Sequence, residues 1–394
     1  MDPIVGLTNA RGSQQAFRIR ANDRLSHMYA IGETGVGKTT FIENLIKQDI
    51  TSGKGCALFD PHGDLARRLR GIEGPTGELP LYVDIAVEGL ELGYNPLTKV
   101  SPAFRPLVAS GLISVMKKMW PDAWGVRMEH ILRNALLALL DQPSATLPDV
   151  LLLLRDKRFR RDVVRQIQNE QVKEFWIKEF PGYSTRFAAD SLAPIQNKVG
   201  AFLADPRLKC FVCPPGKALR LRQIMDEGRA LIVNLSKGTV GEDSASTLGA
   251  MLVTAIGLAA LSRANQPEAA RRPFFLYLDE FQNVTTLAIA EMLAELRKYG
   301  VGLVMAHQYL KQLDPDVRSA VLGNAGTICA FRVGAEDAPV FAQQFAPAID
   351  LLDLMNQPNR SFYIRLMIDG TPSRPFSAVT VEQLAAQIAR RERW

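Results

Sequence analysis

Chemistry is first legible between Gly32 and Thr40, where Gly32, Gly35 and Gly37 precede Lys38, Thr39 and Thr40 in the spacing Gly32-x-x-x-x-Gly37-Lys38-Thr39. Glycines so placed let consecutive backbone N–H groups, with those of Thr34 and Val36 between them, turn inward at a helix start and cradle phosphates. A lysine directly after the last glycine reaches the β- and γ-phosphates of a nucleoside triphosphate, and the Thr39 hydroxyl can ligate Mg2+. A cradle alone only binds, so hydrolysis needs a metal-holding acid and a base for water. Five apolar residues from Phe274 end in Asp279 and Glu280, which puts Asp279 at a buried strand's exposed end, beside the metal, and Glu280 where it can orient and deprotonate water. A second apolar run, Val301–Ala306, ends in His307 and Gln308. An amide there suits sensing of the γ-phosphate. The helix before that run closes on Arg297 and Lys298, which are either cations at a helix C-terminus or an arginine finger completing a neighbouring subunit's site.

The elements that must hold these residues follow from the apolar pattern. Short apolar runs bounded by turn residues, Met28–Ile31, Cys56–Phe59, Leu81–Val83, Ala230–Leu235, Phe274–Leu278, Val301–Ala306, Thr327–Val333 and Phe362–Met367, read as buried strands of parallel type. Helical patterns at Thr40–Ile50, Asp64–Leu69, Ser244–Leu261 and Ile289–Tyr299 alternate with them, which predicts a three-layer α/β domain with a mostly parallel sheet. The middle of the chain is different, with apolar positions at helical spacing and no strand. The expected organisation is a discontinuous α/β domain over residues 1–100 and 218–394 and an all-α insertion over 101–217. The first dozen residues and the tail Arg390–Trp394 are expected to be loose.

Composition agrees with a folded chain: 394 residues, 47% hydrophobic and 22% charged, exclude collagenous and wholly disordered classes, and four cysteines exclude a disulfide scaffold. The opening residues carry neither a signal peptide nor an anchor, and Ala245–Leu261, at 17 residues with polar members, reads as a buried core helix rather than a membrane span. The expectation is a cytoplasmic chain without stable membrane insertion. Net charge is +6, yet residues 101–220 hold 19 Lys/Arg against 11 Asp/Glu. The basicity of the insertion suits a polyanionic partner. Its densest run, Arg155, Lys157, Arg158, Arg160, Arg161 and Arg165, would line one helical face and meet a phosphate backbone without reading sequence. Trp120, Trp124 and Trp176 are either stacking platforms for bases or, more in keeping with a small helical domain, its core. Cys210 and Cys213 have the spacing of half a zinc site, with no Cys or His pair to complete it.

Taken in order, Gly32–Thr39, Asp60-Pro-His-Gly-Asp64, Tyr94-Asn-Pro-Leu97, Ile232–Lys237, Leu278–Gln282, Arg297-Lys298 and Ala306–Gln308 resemble the FtsK–HerA superfamily of RecA-like motor ATPases, and within it the type IV coupling proteins and their HerA-like relatives. The resemblance runs over roughly residues 15–380. It implies a RecA-like core with an inserted helical domain, a ring-shaped homohexamer, ATP and Mg2+ as substrate and cofactor, and DNA drawn through the centre. Under it Lys38 and Thr39 match the Walker A lysine and threonine, Asp279 and Glu280 the Walker B pair, Gln308 the sensor glutamine and Arg297 the finger acting in trans. Lys298 is its near alternative and Arg332 a further interface candidate. The Asp60–Asp64 turn faces either the nucleotide edge or the channel. The transmembrane helices of membrane-bound coupling proteins and the N-terminal barrel of HerA find no match before Met28, so the expectation is a cytoplasmic motor without a stable seat at a secretion channel, a peripheral seat there being the alternative. The function expected is an ATP-driven DNA translocase of conjugation or DNA processing. The alternatives are a secretion-type ATPase that handles protein, and a nucleotide-gated assembly switch with a partner nuclease.

Overall fold

The computed structural model describes residues 2–9, 14–90, 92–120, 124–214 and 216–381; the tail Arg390–Trp394 lies outside them. The chain divides into two units, one of Met1–Val83, Arg222–Leu235 and Arg263–Trp394, the other of Asp84–Leu221 and Ser236–Ser262.

The first unit is built on an 11-stranded sheet. Its strands in chain order are β1 (Ile4–Thr8), β2 (Ala16–Arg18), β3 (Met28–Ile31), β4 (Gly55–Asp60), β5 (Leu81–Asp84), β6 (Ala230–Asn234), β7 (Phe274–Leu278), β8 (Val301–His307), β9 (Thr327–Ala330), β10 (Ser361–Arg365) and β11 (Phe376–Val379). Across the sheet the order is β2-β1-β11-β10-β9-β3-β8-β7-β4-β6-β5. From β9 through β6 every neighbouring pair is parallel. These strands are buried on both faces, which is why their sequences are unbroken apolar runs rather than alternating ones.

Two features depart from the sequence reading. The run Phe362–Met367 is not a parallel strand: β10 pairs antiparallel with β9 and alternates buried and half-buried residues, as a strand covered on one face does. The first residues are not loose either, since β1 pairs antiparallel with β11 and with β2. Three residues of β2 and a bulge between Ile4 and Gly6 are too short and irregular to show as a period.

The second unit is mainly helical, with the helices Arg105–Met119, Val126–Leu140, Pro148–Arg155, Lys157–Gln166 and Thr185–Ala204. Its bounds differ from the expected insertion by taking in the helix Glu242–Ser262. That helix is buried all round, so it needs apolar cover on every side. Part of the cover is the helix Arg105–Met119, where Gly111 admits Thr254 so closely that a Cβ at Gly111 would lie 2.7 Å from the Thr254 Cγ2.

Two buried polar knots tie the first unit together. Arg24, just before β3, makes a bidentate pair with Asp49 of the helix Lys38–Thr51, both N···O distances 2.8 Å, with both side chains fully buried. Its guanidinium lies 3.6 Å from the Phe275 ring centroid, and Tyr277 of β7 donates to Asp49 at 2.6 Å. His27 is held with left-handed φ of 62°. Its Nδ1 accepts the Leu303 N–H at 3.0 Å and its Nε2–H donates to the Leu293 carbonyl at 2.8 Å, an arrangement only the neutral ring can make. Burial pushes its pKa down to about 4, against the Leu293 carbonyl bond and with help from the Arg297 charge.

Removing one member of the ion pair leaves a buried charge unpaired, so Asp49→Ala is expected to lose about 3–5 kcal/mol in urea unfolding, and Arg24→Met with Asp49→Leu to lose less than Asp49→Ala alone. The unfolded His27 binds a proton below its ordinary pKa while the folded one resists until about 4, so its contribution is complete above pH 6.5 and declines as pH falls toward 4. Between pH 8 and pH 5 the decline in unfolding free energy is expected to be shallower by about 2 kcal/mol in His27→Gln than in the parent.

Candidate active site

The parallel strands end at one edge, and that edge collects the chemistry. Leaving β3, the chain runs through Gly32–Gly37 into the helix Lys38–Thr51. Gly37 caps this helix with φ of 112°, and a Cβ there would lie 3.2 Å from the Arg360 Cα. Glycine is therefore required twice over, by conformation and by space. The loop is stapled to its neighbours by backbone bonds from the Glu33 N–H to the Arg332 carbonyl at 2.9 Å and from the Arg360 N–H to the Val36 carbonyl at 2.7 Å. The Lys38 ammonium closes the ring by donating to the Gly32 and Glu33 carbonyls at 2.7 and 2.8 Å. With three N–H groups it keeps a donor for an anion. Burial lowers its pKa, opposed by Asp279, Glu280 and Glu33.

Two strands away, β7 delivers the acidic pair. The Thr39 hydroxyl donates to Asp279 Oδ2 at 2.9 Å, which joins the loop to the strand end. Burial raises the Asp279 pKa; the bond from Thr39 and the charge of Lys38 oppose this, and the carboxylates of Glu280 and Asp60 add to it. Glu280 sits with φ of 51°, a conformation that turns its side chain off the strand. Its Oε1 accepts the Gln308 amide at 3.0 Å and its Oε2 the Gln282 amide at 2.6 Å. The expected sensor and the expected base are thus in contact. Three carboxylates against one ammonium leave the edge short of positive charge, and a hydroxyl beside a carboxylate is a hard-oxygen pair that suits Mg2+. The residues present fit that ion and a triphosphate.

The structure places the remaining candidates as follows. Thr34 and Gly35 are exposed in the loop and Thr40 lies in the first helical turn. Asp60 ends β4 at the same edge as Asp279, and its carboxylate accepts the N–H groups of His62 at 3.0 Å and Ala66 at 2.9 Å. The Asp60–Asp64 turn therefore lies on the nucleotide side. Arg332 is engaged within its own chain, donating to Glu33 Oε2 of the phosphate loop at 3.0 Å and to the Gln357 carbonyl at 3.2 Å. Arg297 and Lys298 are exposed, in the turn before β8, and so at the opposite end of the strand from His307. Seven residues of strand put ~20 Å between them. Arg297 cannot reach the loop of its own chain.

In the helical unit the basic run is not one face. Arg160 turns inward, donating to the Leu153 and Leu154 carbonyls at 2.8 and 3.1 Å with its guanidinium over the Phe180 ring, because the preceding helix needs its last carbonyls satisfied. Arg165 pairs with Asp162 at 3.4 Å. Arg155, Lys157, Arg158 and Arg161 are exposed. Trp176 is core, buried with Phe175 and packed on the half-buried Phe180, and it donates to the Asn134 carbonyl at 3.3 Å, while Trp124 donates to Glu129 at 2.8 Å. Sequence reasoning missed Arg360, whose place over Gly37 has no local signal, since 323 residues separate them.

Comparison with known proteins agrees with this architecture. A family model described as the TraM recognition site of TraD and TraG matches residues 273–348, the stretch that carries Asp279, Glu280, Arg297 and Gln308. No curated protein matches the sequence. Among solved structures, the plasmid coupling protein TrwB in complex with ADP and Mg2+ is 16% identical, covering 93% of this chain and 87% of its own, with a TM-score of 0.65. The bacterial conjugative coupling protein TrwBdeltaN70 in complex with sulphate is 17% identical over 93% of this chain and 87% of its own, TM-score 0.66. VirB4 of Thermoanaerobacter pseudethanolicus is 14% identical over 98% of both chains, TM-score 0.64. The chain has the RecA-like fold that these proteins share.

Gly37→Ala places a methyl group against the Arg360 backbone in a conformation that L residues avoid. Titration with a fluorescent ATP analogue is expected to show at least tenfold weaker binding (about 1.4 kcal/mol or more), with the thermal melt remaining cooperative.

Proposed function

Starting from the motor fold of the type IV coupling proteins and VirB4, we propose that this chain is an ATP-hydrolysing DNA translocase motor, a homohexamer of the coupling-protein kind that serves conjugative DNA transfer. The observation that carries the reading is the Thr39–Asp279 bond of 2.9 Å with the Glu280–Gln308 contact of 3.0 Å beside it. Phosphate cradle, metal-holding acid, base and sensor lie on one edge.

The roles follow from the chemistry. The inward N–H groups of Gly35, Gly37, Lys38 and Thr39 bind the phosphates, and Lys38 bridges toward the β- and γ-groups. Thr39 and Asp279 hold Mg2+, which supplies charge neutralisation across the β- and γ-phosphates. Glu280 takes the proton of the attacking water. Gln308, already on the Glu280 carboxylate, registers the γ-phosphate. Arg297, ~20 Å along the strand, supplies the next subunit with a cation for the charge that develops in the transition state. That need for a neighbour supports the ring. The exposed residues Arg155, Lys157, Arg158 and Arg161 grip DNA through phosphates, without sequence preference and with strong salt dependence. Among the described residues one helix, Glu242–Asn265, is long and apolar enough to cross a membrane, and most of it is buried in the structure. The motor works from the cytoplasmic side of a secretion channel, as a peripheral component. TraM recognition belongs to TraD and TraG by description. Here the matched stretch carries the catalytic strands, and an analogous relaxosome partner docks on its exposed surface.

The test is the steady-state ATPase rate against protein concentration, with and without single- and double-stranded DNA, at two salt concentrations. A rate that rises more steeply than linearly and is stimulated by DNA at low salt is expected. A linear, DNA-indifferent rate overturns the reading in favour of an ATPase that handles protein. In the same assay Glu280→Gln is expected to bind nucleotide and lose turnover by roughly 100-fold or more.

A further inference from the structure

The turn that carries Arg297 is held by side chains the hydrolysis chemistry does not use. The helix Leu287–Leu296 runs through a single 3-10 turn, Arg297–Tyr299, and stops at Gly300 with φ of 73°. The carbonyls at such an end have no partner in their own helix. Here three donors from elsewhere in the sheet unit take them. His27 Nε2 holds the Leu293 carbonyl, one helical turn before Arg297, at 2.8 Å. Arg271 Nη1 holds the Lys298 carbonyl at 2.7 Å, and Arg263 Nη1 the Tyr299 carbonyl at 3.1 Å. The Arg271 guanidinium also lies 5.4 Å from the Tyr299 ring centroid.

Both arginines are themselves fixed. Arg263 is fully buried and paired with Asp226 at 2.9 Å. Arg271 spends its other nitrogens on the carbonyls of Arg263 at 3.2 Å and Gln266 at 2.8 Å. Each of the three Arg271 nitrogens thus meets a backbone carbonyl, and among the described residues no carboxylate pairs with it. Water could satisfy an exposed helix end without setting two guanidinia beside Arg297 and Lys298. What the guanidinia add is a fixed position for the turn's backbone, against like-charge repulsion.

We propose that Arg271, backed by Arg263, is a positioning residue that fixes the turn from which Arg297 reaches the neighbouring subunit's nucleotide. The inference rests on the reading of Arg297 as a finger acting in trans. A finger is worth about 10³–10⁵ in turnover when aimed, and a misplacement of about 1 Å can cost roughly 100-fold. Arg271→Ala leaves the residues of its own nucleotide edge in place and loosens only what it offers to the next subunit.

The experiment compares Arg271→Ala, Arg271→Lys and Arg297→Ala in full-length protein, alone and mixed with Glu280→Gln subunits, which have a dead base and an intact finger. Expected for Arg271→Ala are a thermal melt and fluorescent ATP-analogue affinity close to the parent's, a kcat lower by roughly 10- to 100-fold, and partial recovery on mixing, since its own sites then receive sound fingers. Arg271→Lys keeps the charge but brings its donors to a single point instead of a planar fork, so it cannot span all three carbonyls, and its kcat is expected to fall between those of the parent and Arg271→Ala. A kcat for Arg271→Ala within twofold of the parent overturns the proposal. So does full activity of Arg271→Lys beside an impaired Arg271→Ala, because charge rather than geometry would then be at work. So does a loss that mixing fails to restore while the Arg297→Ala mixture recovers. Full turnover of Arg297→Ala alone overturns the trans-finger reading itself, and the positioning role with it.

Discussion

Everything in the site depends on the parallel pairing of β9, β3, β8, β7, β4 and β6. Parallel strands start at one edge and finish at the other, so each loop that follows a strand in this block leaves from the same side. The register makes this concrete, with Ile31 beside His307 and Met305 beside Leu278. Gly32, Gln308, Asp279 and Asp60, which span 277 positions of sequence, follow the ends of neighbouring strands. No side-chain contact is needed to bring them together. The Thr39–Asp279 bond is a consequence of the ladder rather than its cause.

The same geometry separates as firmly as it gathers. A residue before a strand of the block lies at the far edge, and a strand of seven residues cannot bend back. Arg297 is in that position, and the far edge is built differently from the near one. Near the phosphate loop the backbone is glycine-rich, polar side chains are half-buried, and Glu280 holds a left-handed conformation that costs of order 1–3 kcal/mol. At the far edge Arg24, Asp49, Tyr277, His27 and Arg263 are locked into buried hydrogen-bonded knots. Strain at the reactive edge is tolerated because the other edge is over-determined.

Much of this was legible in the sequence because it repeats a local rule. Phe274–Leu278 and Val301–Ala306 are strands buried on both faces, and such strands are written as unbroken apolar runs. The cradle is legible because glycine, lysine and threonine at fixed spacing have one economical explanation. What escaped has a physical reason in each case. The β1–β2 pair is too short and irregular to show as a period, the antiparallel return of β10 depends on which strands it pairs with, and the contact of Arg360 with the loop joins residues 323 positions apart. Arg160 was misread because a one-dimensional run of cations does not show which of them is needed for a helix end. The helix Glu242–Ser262 groups with the helical unit, which the sequence does not show because an apolar segment specifies that it is covered, not by what.

The electrostatics of the near edge close the argument for a divided site. Asp60, Asp279 and Glu280 stand near one ammonium, and Asp279 is pushed toward its neutral form by burial and by its two acidic neighbours. A triphosphate would add more negative charge to that edge. Lys38 in the loop supplies one positive charge, and Thr39 with Asp279 would hold a metal that supplies more. Arg332 beside the loop is already committed to Glu33 and to the Gln357 carbonyl. Because every strand of the block points one way, Arg297, the proposed finger, lies on the opposite rim. Under the proposal that Arg297 acts in trans, one copy's far rim meets another's near edge, and the two rims are complementary in charge.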